Sequence, residues 1–255
     1  MMIDKRDSQV DKIQSEQYSF PYHYLPSVNG FPNFSKGWGF SASYIAAINL
    51  FADWLKDAKT KEPMNLHMDF GCGDGGFLYH VNQLGCFNDI NFMGIDFDSN
   101  AINWAKQFSQ SESFVCGDVA DLPSSKYDSG SLIEVYEHIP PNECPNFLKN
   151  IANSLKQNAP LFVTVPSTQK KIRAKHYRHF DFDILLREFD EHFTVEEIFG
   201  FERKSKLIKI IIRLFSCRWW FIETKITNRL LVNTLQSKHS KIDGCGRIGL
   251  IVRKK

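Results

Sequence analysis

The chain has 255 residues, 43% apolar and 24% charged, enough to bury a substantial core in one large or two small globular domains. That composition excludes a disordered, collagenous or disulfide-stapled chain. Its formal charge of +2 hides an uneven division: residues 203–255 hold 14 Lys and Arg against Glu223 and Asp243, whereas residues 1–202 hold 17 basic against 27 acidic side chains. Such an asymmetry predicts that the C-terminal part meets an anionic acceptor or partner.

In chain order, residues 1–40 begin polar and become aromatic and turn-rich (YSFPYHYLPSVNGFPNFSKGWGF), as expected of an irregular segment laid over something else. The opening MMIDKRDSQVDKIQSEQ has no apolar stretch of the secretion-signal kind, so a cytoplasmic protein is expected. Tyr44, Ile45, Ile48, Phe51, Ala52 and Leu55 recur at helical spacing and predict an amphipathic helix over 43–56. Short apolar runs then predict strands at 66–70, 91–95, 113–116, 131–135, 160–165 and 194–199, with a last strand at 247–252. Between them the periodicity predicts helices at 76–84, 99–108, 142–155 and 182–189. Alternation with these connection lengths implies an α/β protein, a parallel sheet covered by helices on both faces.

The stretch 206–222 (KLIKIIIRLFSCRWWFI), read as one helix, lines up Lys206, Lys209, Arg213 and Ser216 opposite a broad apolar face. It is too short and too charged to cross a bilayer comfortably. A buried cap or a homodimer interface is the favoured reading, and an interfacial helix on an anionic membrane surface, with Trp219 and Trp220 at headgroup level, is the other. Nucleic acid is not an expected partner, because the basic residues are interleaved with aliphatics and no recognition motif is visible. The six cysteines at 72, 86, 116, 144, 217 and 245 form no CxxC pair and have no metal-like spacing to histidine. Reduced thiols and no metal site are therefore expected.

The most informative segment is Met68-Asp69-Phe70-Gly71-Cys72-Gly73-Asp74-Gly75-Gly76-Phe77, which closes the first predicted strand and opens the next helix. Glycines there let the backbone turn tightly and approach a ligand closely, with free helix-start amides facing it. Gly71, Gly73 and Gly76 alone would also fit a dinucleotide site, so the neighbouring acids decide. Asp69 would face a cationic group such as an ammonium and would repel a pyrophosphate. Asp96 ends the second strand, where an acid accepts both hydroxyls of a ribose. Asp118 follows the third strand, within reach of the amine of an adenine, while Asp98 reads as a helix cap. Three acids at successive strand ends suit an adenosine bearing a cationic amino-acid tail, which is S-adenosylmethionine.

With these motifs in place, the chain resembles the class I S-adenosylmethionine-dependent methyltransferases, in particular the small-molecule branch with E-x-x-E-H-I/V after the fourth strand. Here that motif is Glu134-Val135-Tyr136-Glu137-His138-Ile139, followed by Pro140 and Pro141. The resemblance covers about residues 64–201 plus the final strand, with four motifs in order. It implies a Rossmann-like, seven-stranded, mostly parallel sheet with an N-terminal lid over 1–60, a cofactor-binding core over 61–202, a cap insertion over 203–244 and the last strand over 245–255. It also implies that Asp69, Gly71, Gly73, Asp96, Phe97, Asp118 and Val119 contact the cofactor, with backbone contacts from Cys72 and Asp74. Glu134 is either a further cofactor residue or a loop acid without ligand contact. The family's Lys-Pro-Gly-Gly is replaced by Lys156-Gln157-Asn158-Ala159-Pro160, which changes a turn more than the chemistry.

Methyl transfer from a sulfonium is an in-line displacement, so the protein must align the acceptor and, for an alcohol, phenol or ammonium, remove its proton. Three places offer a base. His138 stands at the rim where acceptors enter this fold, or is a loop histidine bonded to backbone. His176-Tyr177-Arg178-His179-Phe180 resembles a motif found after strand 5 in methyltransferases of sugar or surface-polysaccharide metabolism. There Arg178 would fork onto a carboxylate or phosphate and His179 act as base, unless Arg178 pairs with Asp181 or Asp183 and Phe180 is core. Tyr22-His23-Tyr24 falls in the lid, where Tyr18, Tyr22, Tyr24 and Trp38 would stack on adenine or sugar rings. The expectation is an S-adenosylmethionine-dependent methyltransferase acting on an oxygen or nitrogen of a small, anionic or sugar-like metabolite. The alternative is a cofactor-binding scaffold or membrane-peripheral protein of the same fold. A nicotinamide-dependent oxidoreductase is disfavoured by Asp69 and the E-x-x-E-H motif.

Overall fold

The computed structural model describes residues 12–13, 15–19, 21, 23, 38–109, 113–215 and 224–255. The first expected helix forms and runs longer than its apolar stripe: α1 (Trp38–Lys61) ends with Lys59 and Lys61 in its last turn, where cations complement the helix C-terminus. Seven strands follow as one sheet: β1 (Leu66–Phe70), β2 (Asn91–Asp96), β3 (Ser113–Cys116), β4 (Ser129–Ile133), β5 (Pro160–Pro166), β6 (Phe193–Arg203) and β7 (Cys245–Lys254). Their order is β3-β2-β1-β4-β5-β7-β6. Strands β1 to β5 pair in parallel, and β7 runs antiparallel to both neighbours. The connecting helices are α2 (Gly76–Asn82), α3 (Ser99–Phe108), α4 (Cys144–Ser154) and α5 (Phe182–Phe189), with α6 (Lys206–Phe215) and α7 (Lys225–Gln236) between β6 and β7.

Strand alternation sorts the interior into two layers. Phe162 of β5 and Ile251 of β7 face α1, α2, α3 and α7, where Phe51, Leu55, Leu78 and Leu235 are buried. Leu161, Val163 and Val165 of β5, with Ile248 and Leu250 of β7, face α4 and α5 around Leu148, Leu185 and Phe189. All seven residues of β5 are buried, as a strand covered on both faces requires.

Two expectations are corrected. The fourth strand was expected to end at Val135, but β4 stops at Ile133 because Glu134 takes a left-handed conformation with φ 55°. That turn swings the Glu134–His138 segment out of the sheet and over its edge. The second concerns the insertion, which holds a further helix beyond the expected 206–222 stretch, residues 216–222 of that stretch lying outside the described residues. α6 ends at Phe215, and α7 starts on its own capping box, with Thr224 and Thr227 satisfying each other's backbone amides. Ser216, Trp219 and Trp220 lie outside the described residues. α7 buries Leu231, Val232 and Leu235 against the α1 layer, with Asn49 donating to Gln236 at 2.9 Å. α6 packs only Ile208, Ile212 and Phe215 inward and leaves Leu207, Ile210 and Leu214 exposed. No described helix is long and apolar enough to cross a membrane.

The charge asymmetry also partly closes on folding. Lys204, Lys238, Arg247, Arg253 and Lys255 pair with Glu202, Glu197, Glu134, Glu196 and Asp190 of the acidic part. These pairs tie β6 and β7 to the sheet and leave α6 and α7 as the basic surface.

Phe51 is fully buried and meets Trp54, His67, Phe77 and Phe162, with ring centroids 5.0–5.6 Å away. Phe51→Ala should therefore cost about 3–5 kcal/mol in chemical denaturation; a loss below about 1 kcal/mol would show that α1 does not anchor this layer.

Candidate active site

The glycine loop is shaped by what presses on it. Gly71 (φ 76°) has the Val135 side chain where a Cβ would project, and Gly73 (φ 54°) lies beneath the Tyr18 hydroxyl. At both, a side chain would meet left-handed strain and a clash. The loop is held from the side by Asp96, whose carboxylate accepts from Gly73 N at 2.8 Å and Asp98 N at 2.9 Å. Asp98 caps α3 by accepting from Asn100 N and Ala101 N, as expected. Asp118 caps the 3-10 turn Val119–Asp121 through Ala120 N at 2.8 Å and still lines the cavity above the loop.

Asp69 is buried at the end of β1 and accepts from Ser131 Oγ at 2.6 Å. Behind it His67 bonds Ser131 Oγ through Nε2 and Ser129 Oγ through Nδ1. With Ser131 donating to Asp69, His67 Nε2 is the donor and the ring is neutral, in line with a pKa that burial lowers to about 3. Burial, opposed by the Ser131 bond and reinforced by Asp96, raises Asp69 to about 7. Burial also raises Asp96 to about 6 against its two backbone hydrogen bonds. The Asp74 carboxylate accepts from His23 N at 3.1 Å and Gly76 N at 3.2 Å and bonds His23 Nδ1 at 2.9 Å. It clamps the N-terminal segment onto the loop, and Trp104 Nε1 donates to Tyr18 O at 2.9 Å beside it. Tyr18 and His23 of the expected lid segment thus lie against the loop, and Tyr22 and Tyr24 lie outside the described residues.

A cavity of about 1570 Å3 runs from this loop to the far side of β4 and β5. Asp69, Gly71, Cys72, Gly73, Asp96, Phe97, Asp118 and Val119 line one end, with the Phe97 side chain 60% exposed on the wall. Glu134, Glu137, His138, His176, His179 and Arg247 line the other. The insertion contributes no described residue to it. The cations at the mouth come instead from the β5–α5 connection, as Lys171, Arg173 and Lys175.

At this second end, buried Arg247 pairs with Glu134 at 3.0 Å and Glu202 at 3.4 Å, and Glu202 also holds Lys170 and Lys204. His138 Nδ1 donates to Lys175 O at 2.8 Å, leaving Nε2 facing the site. His179 uses both nitrogens, Nδ1 on Lys170 O at 3.1 Å and Nε2 on His176 Nδ1 at 2.9 Å. Burial lowers His138 to about 4, which makes it a weak base at neutral pH. Arg178 does not reach the cavity. It forks onto Glu188 at 2.6 and 2.8 Å and lies over Phe180, so it belongs to the structural reading, with Glu188 in place of the expected Asp181 or Asp183. One ligating atom from each of Glu137, His138 and His176 lies within 4.8 Å of the other two, a grouping that the spacing of these residues in the sequence does not announce. Arg247 and Glu137 were missed as site residues. An arginine opening an otherwise apolar strand was the available signal for the first.

A methyltransferase-domain family model matches residues 42–211, well over half of the chain. The chain belongs to the class I S-adenosylmethionine-dependent methyltransferases. Among solved structures it is similar to magnesium protoporphyrin IX methyltransferase from Synechocystis PCC 6803 with bound S-adenosylmethionine, at TM-score 0.61 and 17% identity over 100% of this chain and 99% of that one. It is similar to a SAM-dependent methyltransferase from Archaeoglobus fulgidus at TM-score 0.53 and 16% identity, over 80% and 94% of the two chains. The [4+2]-cyclase SpnF gives TM-score 0.53 and 16% identity over 80% of each chain, so the fold alone does not name the reaction. No curated protein matches at the level of sequence. The cofactor of this methyltransferase is S-adenosylmethionine.

Residues at the loop end fit that cofactor. Asp69 and Asp96 are buried carboxylates with no ion-pair partner among the described residues, and burial raises both above their ordinary values. The empty folded enzyme therefore binds more protons than the unfolded chain, and its stability falls as pH rises from about 4 to about 7. A cationic ligand prefers the ionised forms, so its affinity should rise across the upper part of that window and its binding should release protons. Calorimetry in buffers of different ionisation enthalpy should show affinity falling by up to about tenfold per pH unit from about pH 7 to 6, and more steeply below about pH 6 where both carboxyls are protonated; a flat profile would mean neither carboxyl meets the ligand.

Proposed function

We propose that this methyltransferase moves its methyl group onto an oxygen or nitrogen of a small anionic or sugar-like acceptor. The observation that carries the reading is the cationic mouth, Lys171, Arg173 and Lys175, placed on the cavity that holds the glycine loop at its other end. Asp69 is read as taking the ammonium of the cofactor, Asp96 its ribose hydroxyls, Asp118 its adenine amine and Phe97 the adenine face. Glu134 is committed to Arg247 and is read as fixing the floor between cofactor and acceptor. His138, neutral and with Nε2 open, is read as touching the acceptor side, and His179 as positioning His176. Catalysis is then mostly alignment, with the acceptor lone pair attacking the methyl carbon as the C–S bond breaks.

Tritiated S-adenosylmethionine incubated with a small-molecule extract should label a compound retained on anion exchange. Lys171→Glu with Arg173→Glu should raise KM for that compound about tenfold or more, with cofactor binding unchanged. Label appearing only in neutral or cationic compounds would overturn the substrate class, and cofactor binding without any transfer would favour a scaffold.

A second reading concerns location and has its own observation. The exposed Leu207, Ile210 and Leu214 share α6 with Lys206, Lys209 and Arg213. A homodimer would bring these like charges together, whereas an anionic lipid surface complements them. The reading is peripheral membrane attachment through α6. Flotation with phosphatidylcholine vesicles should require added phosphatidylglycerol and be lost in Leu207→Glu with Leu214→Glu. A dimer in solution that does not float would assign the face to a second copy.

A further inference from the structure

Glu137 and His138 lie in the 3-10 turn that follows β4, and His176 comes from the β5–α5 connection 38 positions later. The fold brings their ligating atoms within 4.8 Å of one another, with Glu137 Oε1 3.9 Å from His138 Nε2. The two imidazoles meet edge to face with centroids 4.8 Å apart.

The hydrogen bonds around them set which nitrogen is free. His138 Nδ1 donates to Lys175 O, so its Nε2 keeps a lone pair. His179 Nδ1 donates to Lys170 O, which makes His179 Nε2 the acceptor of the bond from His176 Nδ1. His176 is thereby left with its own lone pair on Nε2. A ring nitrogen whose opposite N–H is held by a carbonyl or a second base is the arrangement that orients a metal-bound histidine. The third donor adds an independent observation. Glu137 is 1% exposed, and its Oε2 is buried with no hydrogen-bond partner among the described residues. A buried carboxylate oxygen left without a partner is costly and calls for one.

We propose that Glu137, His138 and His176 bind a divalent first-row cation, such as Mn2+, Fe2+, Co2+ or Zn2+, at the acceptor end of the cavity. Two imidazoles and one carboxylate suit that class, and three protein ligands leave open positions for an oxygen of the acceptor. Its use in catalysis rests on the methyltransferase function; its binding does not. A hydroxyl held on the cation loses its proton to solvent more readily. Its oxygen then forms the bond to the methyl carbon, and the C–S electron pair stays on sulfur. This gives the neutral His138 a task that its lowered basicity does not contradict.

Untagged full-length protein, stripped with chelator and dialysed, is titrated with Mn2+ alone. One Mn2+ per chain is expected, with affinity lost in His138→Ala and His176→Ala and weakened about 10–100-fold in His179→Ala, which touches no metal but orients His176. Unchanged S-adenosylhomocysteine binding in each variant reports an intact fold and tests the methyltransferase reading separately. Pulsed EPR of Mn2+-loaded wild type should show nitrogen couplings from two imidazoles, which holds the site to account even where a variant fails to fold. No stoichiometric binding, fewer than two coupled imidazoles, or full affinity in His138→Ala and His176→Ala overturns the site.

Discussion

The structure depends on carboxylates buried at the carboxyl edge of a parallel sheet before any cation reaches them. Asp69 and Asp96 end adjacent strands, and both are raised mainly by burial, with like charges adding to the effect. Folding must hold them there, and it does so with neutral donors: Ser131 Oγ for Asp69, the amides of Gly73 and Asp98 for Asp96. Those donors satisfy oxygens without cancelling charge. The site is left with uncompensated negative charge whenever these carboxyls ionise, which suits a cationic ligand. The glycine loop follows from this, because Gly73 can present its amide to Asp96 only in a left-handed turn that leaves no room for a side chain under Tyr18.

A second, separate solution appears at the acceptor end. There Glu134 and Glu202 are neutralised by a buried cation, Arg247, delivered by the antiparallel strand β7. Burial would raise the Glu202 carboxyl, yet Arg247, Lys170 and Lys204 hold it well below the usual range. Removing one member of such a network leaves an unpaired charge in the interior, so β7 is tied to the site as well as to the sheet. α6 and α7 lie between β6 and β7 and contribute no described residue to this network, which the insertion joins through Lys204.

Much of this was legible in the sequence because it rests on local pattern. The bounds of β1, α3, β3 and α5 follow from apolar periodicity and caps within each segment. The cofactor end follows from glycines and acids at strand ends, all within one βαβ spacing of each other. What stayed hidden depends on residues far apart. The partner of Arg178 is Glu188 on the next helix, and the clamp on Asp74 is His23, 51 positions earlier. α7 was missed because Asn228, Thr234 and the basic residues dilute its apolar stripe, which only its packing on α1 makes plain. The +12 of the C-terminal part was countable in the sequence, but how folding divides it was not. Five of its cations are internal ties, while the cationic mouth belongs to a loop in the acidic part.

The two ends of the cavity therefore differ in what they lack. At the glycine-loop end, Asp69 and Asp96 have neutral donors around them and no ion-pair partner among the described residues, an arrangement that favours a cationic ligand. At the acceptor end, Glu134 is matched by Arg247, but Glu137 beside it is not, and burial pushes its carboxyl well above the carboxylate range. Glu134 and Glu137 are three positions apart on a segment that the left-handed turn at Glu134 swings over the sheet edge. One of the pair is turned toward β7 and the other toward His138 and His176. The strained backbone at Glu134 thus has a chemical consequence: it divides two neighbouring acids between an internal cation and the open cavity.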